Sequence, residues 1–281
     1  MSHQPVLLKE VISYLRVKKG GLYVDATFAL GGHSKAILAM GGKVLGIEWD
    51  EDLYQKARIK YQGFLEKNLF LANKNFAQIE TVAKEKNFYP VDGVFFDLGI
   101  SMEQIENSGR GFSFKKVDEP LDLRINTKIK MNAACYLNYC SKEELYQIFA
   151  KNTEVTNFKP LVDEIVRRRK FKPIEKVGDL VSIINDKIKQ KSEKIYRQIW
   201  QGLRILVNDE LENLKKGLQG AKKILKQDGR LLVITFHSLE DRVVKKFAFE
   251  NDLNFLTKKP IISLSKKTFE RSAKLRVFTL K

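Results

Sequence analysis

Short apolar, β-branched runs recur along the first hundred residues and alternate with stretches of helical period. Residues 22–27, 43–49, 69–73 and 93–98 each read as a buried strand, and residues 230–237 add a fifth much later. Between the second and third runs, residues 51–65 supply a helix. Residues 205–225 read as one amphipathic helix, with apolar residues at Val207, Leu211, Leu214, Leu218, Ala221, Ile224 and Leu225 and Gly229 as its expected stop. Buried strands alternating with helices predict a parallel sheet covered on both faces.

The fifth strand lies more than a hundred residues after the fourth. The interval holds helical patterns at 142–152, 159–170 and 177–189 and no convincing strand. A structureless loop of that length does not suit a compact domain. The expectation is therefore a discontinuous domain of residues 1–106 and 201–281, with a helical insert at 107–200. Residues 254–264 and 274–281 are expected to pair as a terminal hairpin, and there is no internal repeat or low-complexity tract.

Charge adds a partner class. Lys and Arg number 51 against 34 Asp and Glu, a net of +17 in 281 residues. Residues 159–204 hold 13 basic and 6 acidic residues, and residues 257–281 hold 8 and 1, so two windows carry +14 of that excess. Localised positive charge attracts polyanions, nucleic acid foremost. A lipid surface fits less well, because no long basic amphipathic segment carries Trp or Phe on its opposite face. Cys135 and Cys140 suit neither a zinc knuckle nor a CxxC redox pair and read as free thiols of a reducing compartment. The N-terminus lacks a signal-peptide pattern, and no apolar run approaches the roughly 20 residues of a membrane span. A cytoplasmic protein is expected.

The chemistry concentrates at strand ends. The first strand runs into Asp25-Ala26-Thr27-Phe28-Ala29-Leu30-Gly31-Gly32-His33-Ser34, a glycine turn opening a helix. Glycine permits positive φ and close approach of a ligand to the backbone, and the carboxyl edge of a parallel sheet is where ligands bind. The second strand ends in Glu48-Trp49-Asp50, where a carboxylate can accept both hydroxyls of an adenosine ribose. A dinucleotide would need a third glycine to seat its pyrophosphate, and none follows Gly32. S-adenosylmethionine carries no phosphate and tolerates the shorter motif. The fourth strand ends in Asp97-Leu98-Gly99-Ile100-Ser101, with Gln104 close behind; the fifth ends in Phe236-His237-Ser238-Leu239-Glu240-Asp241-Arg242. No HExxH motif or Cys/His cluster supports a metal, and no nucleophile elbow accompanies Ser238.

These blocks make the resemblance specific. HQPVLLKEV at 3–11, DATFALGGHS at 25–34, DGVFFDLGISMEQ at 92–104, RGFSF at 110–114, PLDLR at 120–124, QGLRILVNDEL at 201–211, GRLLVITFHSLEDRVVK at 229–245 and RSAKLRV at 271–277 fall in one order along the chain. Together they resemble the bacterial small-subunit (16S) ribosomal RNA cytosine-N4 methyltransferase family, whose members modify the exocyclic amine of a cytidine in the decoding region. The resemblance implies an α/β fold: a doubly wound, mostly parallel Rossmann-like methyltransferase sheet with an inserted helical subdomain that binds RNA. It implies S-adenosyl-L-methionine as cofactor, no metal, and small-subunit ribosomal RNA or the assembling small subunit as partner. Gly31, Gly32, His33, Glu48, Phe76, Asp97 and Gln104 are the cofactor-binding residues so implied. Asp97, His237 and Ser238 are the catalytic expectation, with Asp97 orienting the amine or cofactor and the other two lining the substrate side. Arg110, Arg124, Arg167, Arg168, Arg169, Lys170, Arg204 and Arg242 are the residues expected to meet RNA.

The chain departs from the family pattern at several places. Glu48 replaces a usual Asp, Ala29-Leu30 a usual Gly-x, Asn126 a common Asp, Asn152-Thr153-Glu154 a Gly-Glu-Glu, and Trp200 a Phe, and the segment before RSAKLRV is short. Two other readings carry weight. A nicotinamide-dependent oxidoreductase is disfavoured by the missing glycine, and a non-catalytic RNA-binding or ribosome-assembly factor would reuse the same scaffold.

Overall fold

A computed structural model describes residues 5–153, 155, 158–188, 192–263 and 270–281. Residues 3, 4, 154, 189 and 264 of the segments read above lie outside them. The chain forms two compact units, Met1–Gly99 with Leu211–Lys281, and Ile100–Glu210.

In the first unit, helix α1 (Leu8–Leu15) precedes β1 (Leu22–Asp25), α2 (Gly32–Ala39), β2 (Lys43–Glu48), α3 (Glu51–Lys60), β3 (Leu69–Asn73), α4 (Ile79–Glu85) and β4 (Val91–Asp97). The second unit holds α5 (Met102–Asn107), α6 (Ala133–Tyr139), α7 (Lys142–Asn152), α8 (Lys159–Arg168), α9 (Val177–Lys187) and α10 (Glu193–Asn208). The chain then continues through α11 (Glu210–Ile224), β5 (Leu225–Thr235), α12 (Ser238–Glu250), β6 (Asn254–Phe255), β7 (Ile261–Ile262) and β8 (Lys274–Thr279).

The sheet order is β3-β2-β1-β4-β5-β8-β6, with β7 also on β8. The first five strands are parallel, and β8 runs antiparallel to β5, β6 and β7. Alternation within the strands splits the core between two faces. Val24, Val94, Phe96 and Val233 pack against Leu214, Leu218 and Val244 of α11 and α12. Tyr23, Phe95, Leu232 and Ile234 pack with Val11, Ile37 and Ala57 of α1, α2 and α3. Each large side chain so buried contributes about 1.5–3 kcal/mol relative to exposure. The strand ends gain their direction from this packing, since both faces are fixed.

The helical unit has a core of its own around Leu145, Phe149, Leu161, Ile165, Leu180, Ile199 and Leu203. Trp200 donates its indole N–H to Gly111 O at 2.8 Å. Ser141 opens α7 with a capping box closed by Glu144.

Several expectations change. The helix expected over 205–225 is two helices, broken at Asp209, whose backbone is left-handed at φ 49°. Val207 belongs to the helical unit's core, whereas Leu214, Leu218, Ala221 and Ile224 belong to the sheet's. The second break, at Ile224, does not use Gly229. That glycine lies within β5, where pairing to β4 jumps from Val91↔Leu225 to Gly93↔Arg230. A Cβ on Gly229 would stand 2.6 Å from the Leu225 side chain and 2.9 Å from Lys226 O, so a larger residue there would force this excursion to shift. The boundaries expected after 106 and 200 also shift, because α10 continues to Asn208 in the helical core. Finally, the two strands expected as a hairpin pair antiparallel as β6 and β7 on β8, but β8 also extends the main sheet through β5.

Candidate active site

β1 lies between β2 and β4, and the chain moves outward from it in both directions. The carboxyl ends on either side of such a switch point splay apart and leave a crevice. Asp25, Glu48 and Asp97 are the last residues of these three neighbouring strands. The loop after β1 is sewn to both flanking strands: Ala26 N–H donates to Phe95 O, Phe28 N–H to Ile47 O, and Asp97 N–H to Thr27 Oγ1 at 2.7 Å.

The glycine turn is shaped by the protein's own packing. Gly31 has φ 68°, and a Cβ there would come within 2.6 Å of Phe28 and 2.9 Å of Tyr61. A Cβ on Gly32 would meet Pro5 at 2.5 Å. Tyr61 Oη lies 2.9 Å from Gly31 O and 3.2 Å from Leu30 O, and Lys60 Nζ donates to Leu30 O at 2.8 Å. Carbonyls of this turn therefore face α3. Ala29, with φ 47°, donates its N–H to Glu48 Oε2 at 2.7 Å, and Asp50 N–H reaches Glu48 Oε1 at 2.7 Å.

Among the described residues, none of the three carboxylates has a Lys or Arg within ion-pairing distance. Burial raises all three pKa values. Asp25 is pushed up to about 6 by desolvation, against the pull of Ser34 Oγ–H at 2.6 Å and the Thr27 amide. Glu48 rises to about 7, again by desolvation, which its two amide donors only partly offset. Asp97 rises to about 8 through desolvation and then the nearby Asp25 and Glu240 carboxylates. Its side chain is 26% exposed, yet Oδ1 is enclosed and has no hydrogen-bond partner. Oδ2 stands 3.8 Å from His33 Nδ1, too far for a hydrogen bond. His33 donates Nε2–H to Val6 O at 2.9 Å, so its Nδ1 is bare in the neutral ring, and burial lowers its pKa to about 4.

The remaining expected residues divide. Phe76 follows β3 at the same edge, in a short turn opened by Asn75, which accepts from Ala77 N–H. Its ring is half-buried, 5.7 Å from Phe96 and edge-on to it. A Cβ on Gly217 would approach Phe76 to 2.8 Å, so α11 keeps a glycine beneath it. His237 caps α12: Nδ1 accepts weakly from Glu240 N–H at 3.4 Å, while Glu240 Oε2 accepts from Phe236 N–H at 2.8 Å. The His237 side chain is 6% exposed, and its Nε2 lies 3.0 Å from Glu240 Oε1 without the alignment of a hydrogen bond. Ser238 is exposed on the first turn of α12. Gln104 lies in the helical unit, where its side chain closes a capping box with Ser101.

Most of the arginines expected to meet RNA are engaged within the protein. Arg110 is buried and donates to Arg124 O and Ile125 O. Arg124 pairs with Asp122 at 2.6 Å and also donates to Thr127 O and Ile129 O. Arg167 and Arg168 both pair with Glu164, holding that carboxyl far below its usual range, and Arg168 also meets Asp186. Arg169 donates to Leu137 O and Cys140 O. Arg204 pairs with Glu210 at 2.7 Å. Lys170 and Arg242 are exposed. A guanidinium fixed on carbonyls or carboxylates first serves the fold, which spacing along the chain does not reveal.

Sequence reasoning missed Asp25, although the logic that singled out Glu48 and Asp97 applies equally to the last residue of β1. It also missed Lys60 and Tyr61, which precede no motif and act only because α3 ends beside the turn.

Five parallel strands in the order 3-2-1-4-5, a reversed strand β8 between β5 and β6, and an acidic crevice beside a glycine turn define a Rossmann-like methyltransferase architecture. The chain belongs to the MraW methylase family, which matches residues 1–281. It is 40% identical over 284 residues to the ribosomal RNA small subunit methyltransferase H of Dictyoglomus thermophilum, covering 98% of this chain and 95% of that one. The protein of the same name from Desulfotalea psychrophila is 38% identical over 287 residues, covering 98% and 97%. Among solved structures, an rRNA methylase from Streptococcus thermophilus aligns over 100% of this chain and 99% of that one, at 10% identity and a TM-score of 0.48.

Proposed function

We propose that this protein transfers a methyl group from S-adenosylmethionine to the exocyclic N4 amine of a cytidine in small-subunit ribosomal RNA. The observation that carries the proposal is the crevice edge of Asp25, Glu48 and Asp97, two buried carboxylates and one with an enclosed oxygen, all without a cationic side-chain partner among the described residues. Such an edge favours a cationic ligand and opposes a pyrophosphate. S-adenosylmethionine, when bound, supplies an electrophilic methyl carbon on a positively charged sulfur.

The chain's own residues then have distinct tasks. Glu48 holds Ala29 and Asp50 through one lone pair on each oxygen, and its remaining lone pairs are available to ribose hydroxyls. Phe76 offers the face of a half-buried ring to an adenine. Asp97 Oδ1 lacks a donor and can accept an N–H, from a ligand ammonium or from the target amine. A hydrogen bond of that kind orients the amine lone pair, and orientation supplies up to about 7–11 kcal/mol in favourable cases. His33, neutral and fixed by Val6, presents a bare Nδ1 beside Asp97. Gln104 rests on the resemblance alone.

The RNA substrate is supported by the relatives named ribosomal RNA small subunit methyltransferase H, and the cytosine N4 position by the motif resemblance. The helical unit, with the basic window 159–204, is assigned to RNA binding, and an rRNA substrate places the protein in the cytoplasm. No helix among the described residues is long and apolar enough to cross a membrane. The test is incubation with methyl-labelled S-adenosylmethionine and small subunits lacking the modification, followed by nucleoside mapping. Label on N4-methylcytidine is expected; label on another base, or none, overturns the assignment.

A further inference from the structure

Tyr139 and Phe171 are the two most exposed large apolar side chains of the described residues, at 80% and 82%. Both lie at one end of the helical unit. Tyr139 is the last residue of α6, and Phe171 sits in the turn after α8. Two sets of hydrogen bonds tie these segments together. Arg169 donates to Leu137 O at 2.7 Å and to Cys140 O at 2.6 Å. Asn138 donates to Ile174 O at 2.8 Å and accepts from Ile174 N–H at 3.0 Å. The bonds bracket Tyr139 on one segment and Phe171 on the other, so both rings project into water from an anchored backbone.

Their surroundings are cationic. Residues 167–176 carry six basic residues and one acidic residue. Arg167, Arg168 and Lys172 have carboxylate partners, but Arg169 and Lys170 have none among the described residues. A protein–protein interface core is depleted of Lys, whereas exposed aromatic rings on a basic frame match unpaired nucleobases and their phosphates.

We infer that Tyr139 and Phe171 form a base-stacking platform for a single-stranded stretch of RNA, each ring taking a base while Arg169 and Lys170 attract the backbone. The inference rests on the proposed function only in taking the polyanion to be RNA. Stacking of this kind is indifferent to base identity, because every base has a π-face. The platform would therefore hold the strand flanking the target without selecting it.

The test is an anisotropy titration, without cofactor, of a labelled 20-nucleotide oligoribonucleotide of A, G and U and of an abasic ribose-phosphate strand of equal length. Tyr139→Ala and Phe171→Ala should each weaken binding of the base-containing strand by roughly tenfold. Binding of the abasic strand and the salt slope should stay unchanged, and Phe171→Tyr should bind as the unsubstituted protein does. Unchanged affinity, or equal losses on both strands, overturns the platform. So does sedimentation showing that the protein self-associates through these rings. The oligonucleotide contains no cytidine and the assay no methyl donor, so failed methyl transfer would sink the proposed reaction and leave this result standing.

Discussion

Ala29 adopts the left-handed conformation that glycine reaches freely, at a cost of about 1 kcal/mol, and its N–H is held by Glu48. Both positions depart from the family pattern, and the structure joins them: the extra methylene of Glu48 reaches the amide of the strained residue. Glu48→Asp should weaken S-adenosylhomocysteine binding about tenfold by calorimetry, and clearly less in an Ala29→Gly background, since contacting residues couple by about 0.5–3 kcal/mol. Strict additivity would dissolve the pairing. Asp97 sets a pH dependence. Its folded pKa of about 8 lies above the roughly 4 of an unfolded carboxyl, so the folded state loses stability as pH rises from about 4 to about 8 and loses no more above that. In scanning calorimetry without cofactor, Asp97→Asn should gain Tm on the unsubstituted protein as pH rises from about 4 to about 8 and level off above; a gap that ignores pH contradicts this. The carboxylates at strand ends were legible as residues. Their missing counter-charges were not, because which cations lie nearby is a property of the folded edge.

At the scale of elements, the strands were the most readable feature. Residues 69–73 match β3, and β1, β2 and β4 end within two residues of expectation, because runs buried on both faces leave a continuous apolar signature. The α10–α11 boundary left none: Val207 and Leu214 share a helical period, although they enter different cores. Asn208 marks the break. Fully buried, it accepts from Ile125 N–H at 2.7 Å and donates to Leu123 O at 2.8 Å and Arg204 O at 2.9 Å. Asn208→Ala strands these backbone groups, and about 2–3 kcal/mol of stability should be lost in urea titrations followed through Trp200, which lies in the same core. A loss under 0.5 kcal/mol would mean that the amide is dispensable there.

Over the whole molecule, net charge overstates the cations available to RNA, because many are committed internally. Lys170→Ala should leave thermal stability unchanged and lower the slope of log Kd for RNA against log salt by about one. Arg169→Ala should also destabilise, by about 1.5–3 kcal/mol, since the Leu137 and Cys140 carbonyls lose a charged donor. Matching effects from the two substitutions would refute this division of labour. The position of β8 bears on how the protein is made. The sheet draws its strands from both sides of the helical unit, and the strand between β5 and β6 is the last to be translated. During synthesis the helical unit has all its sequence outside the ribosome while β4, already paired with β1, still waits for β5. The half-built sheet meanwhile presents the open edge of β4, so nascent chains halted before β5 should be the ones that chaperones hold and proteases cut.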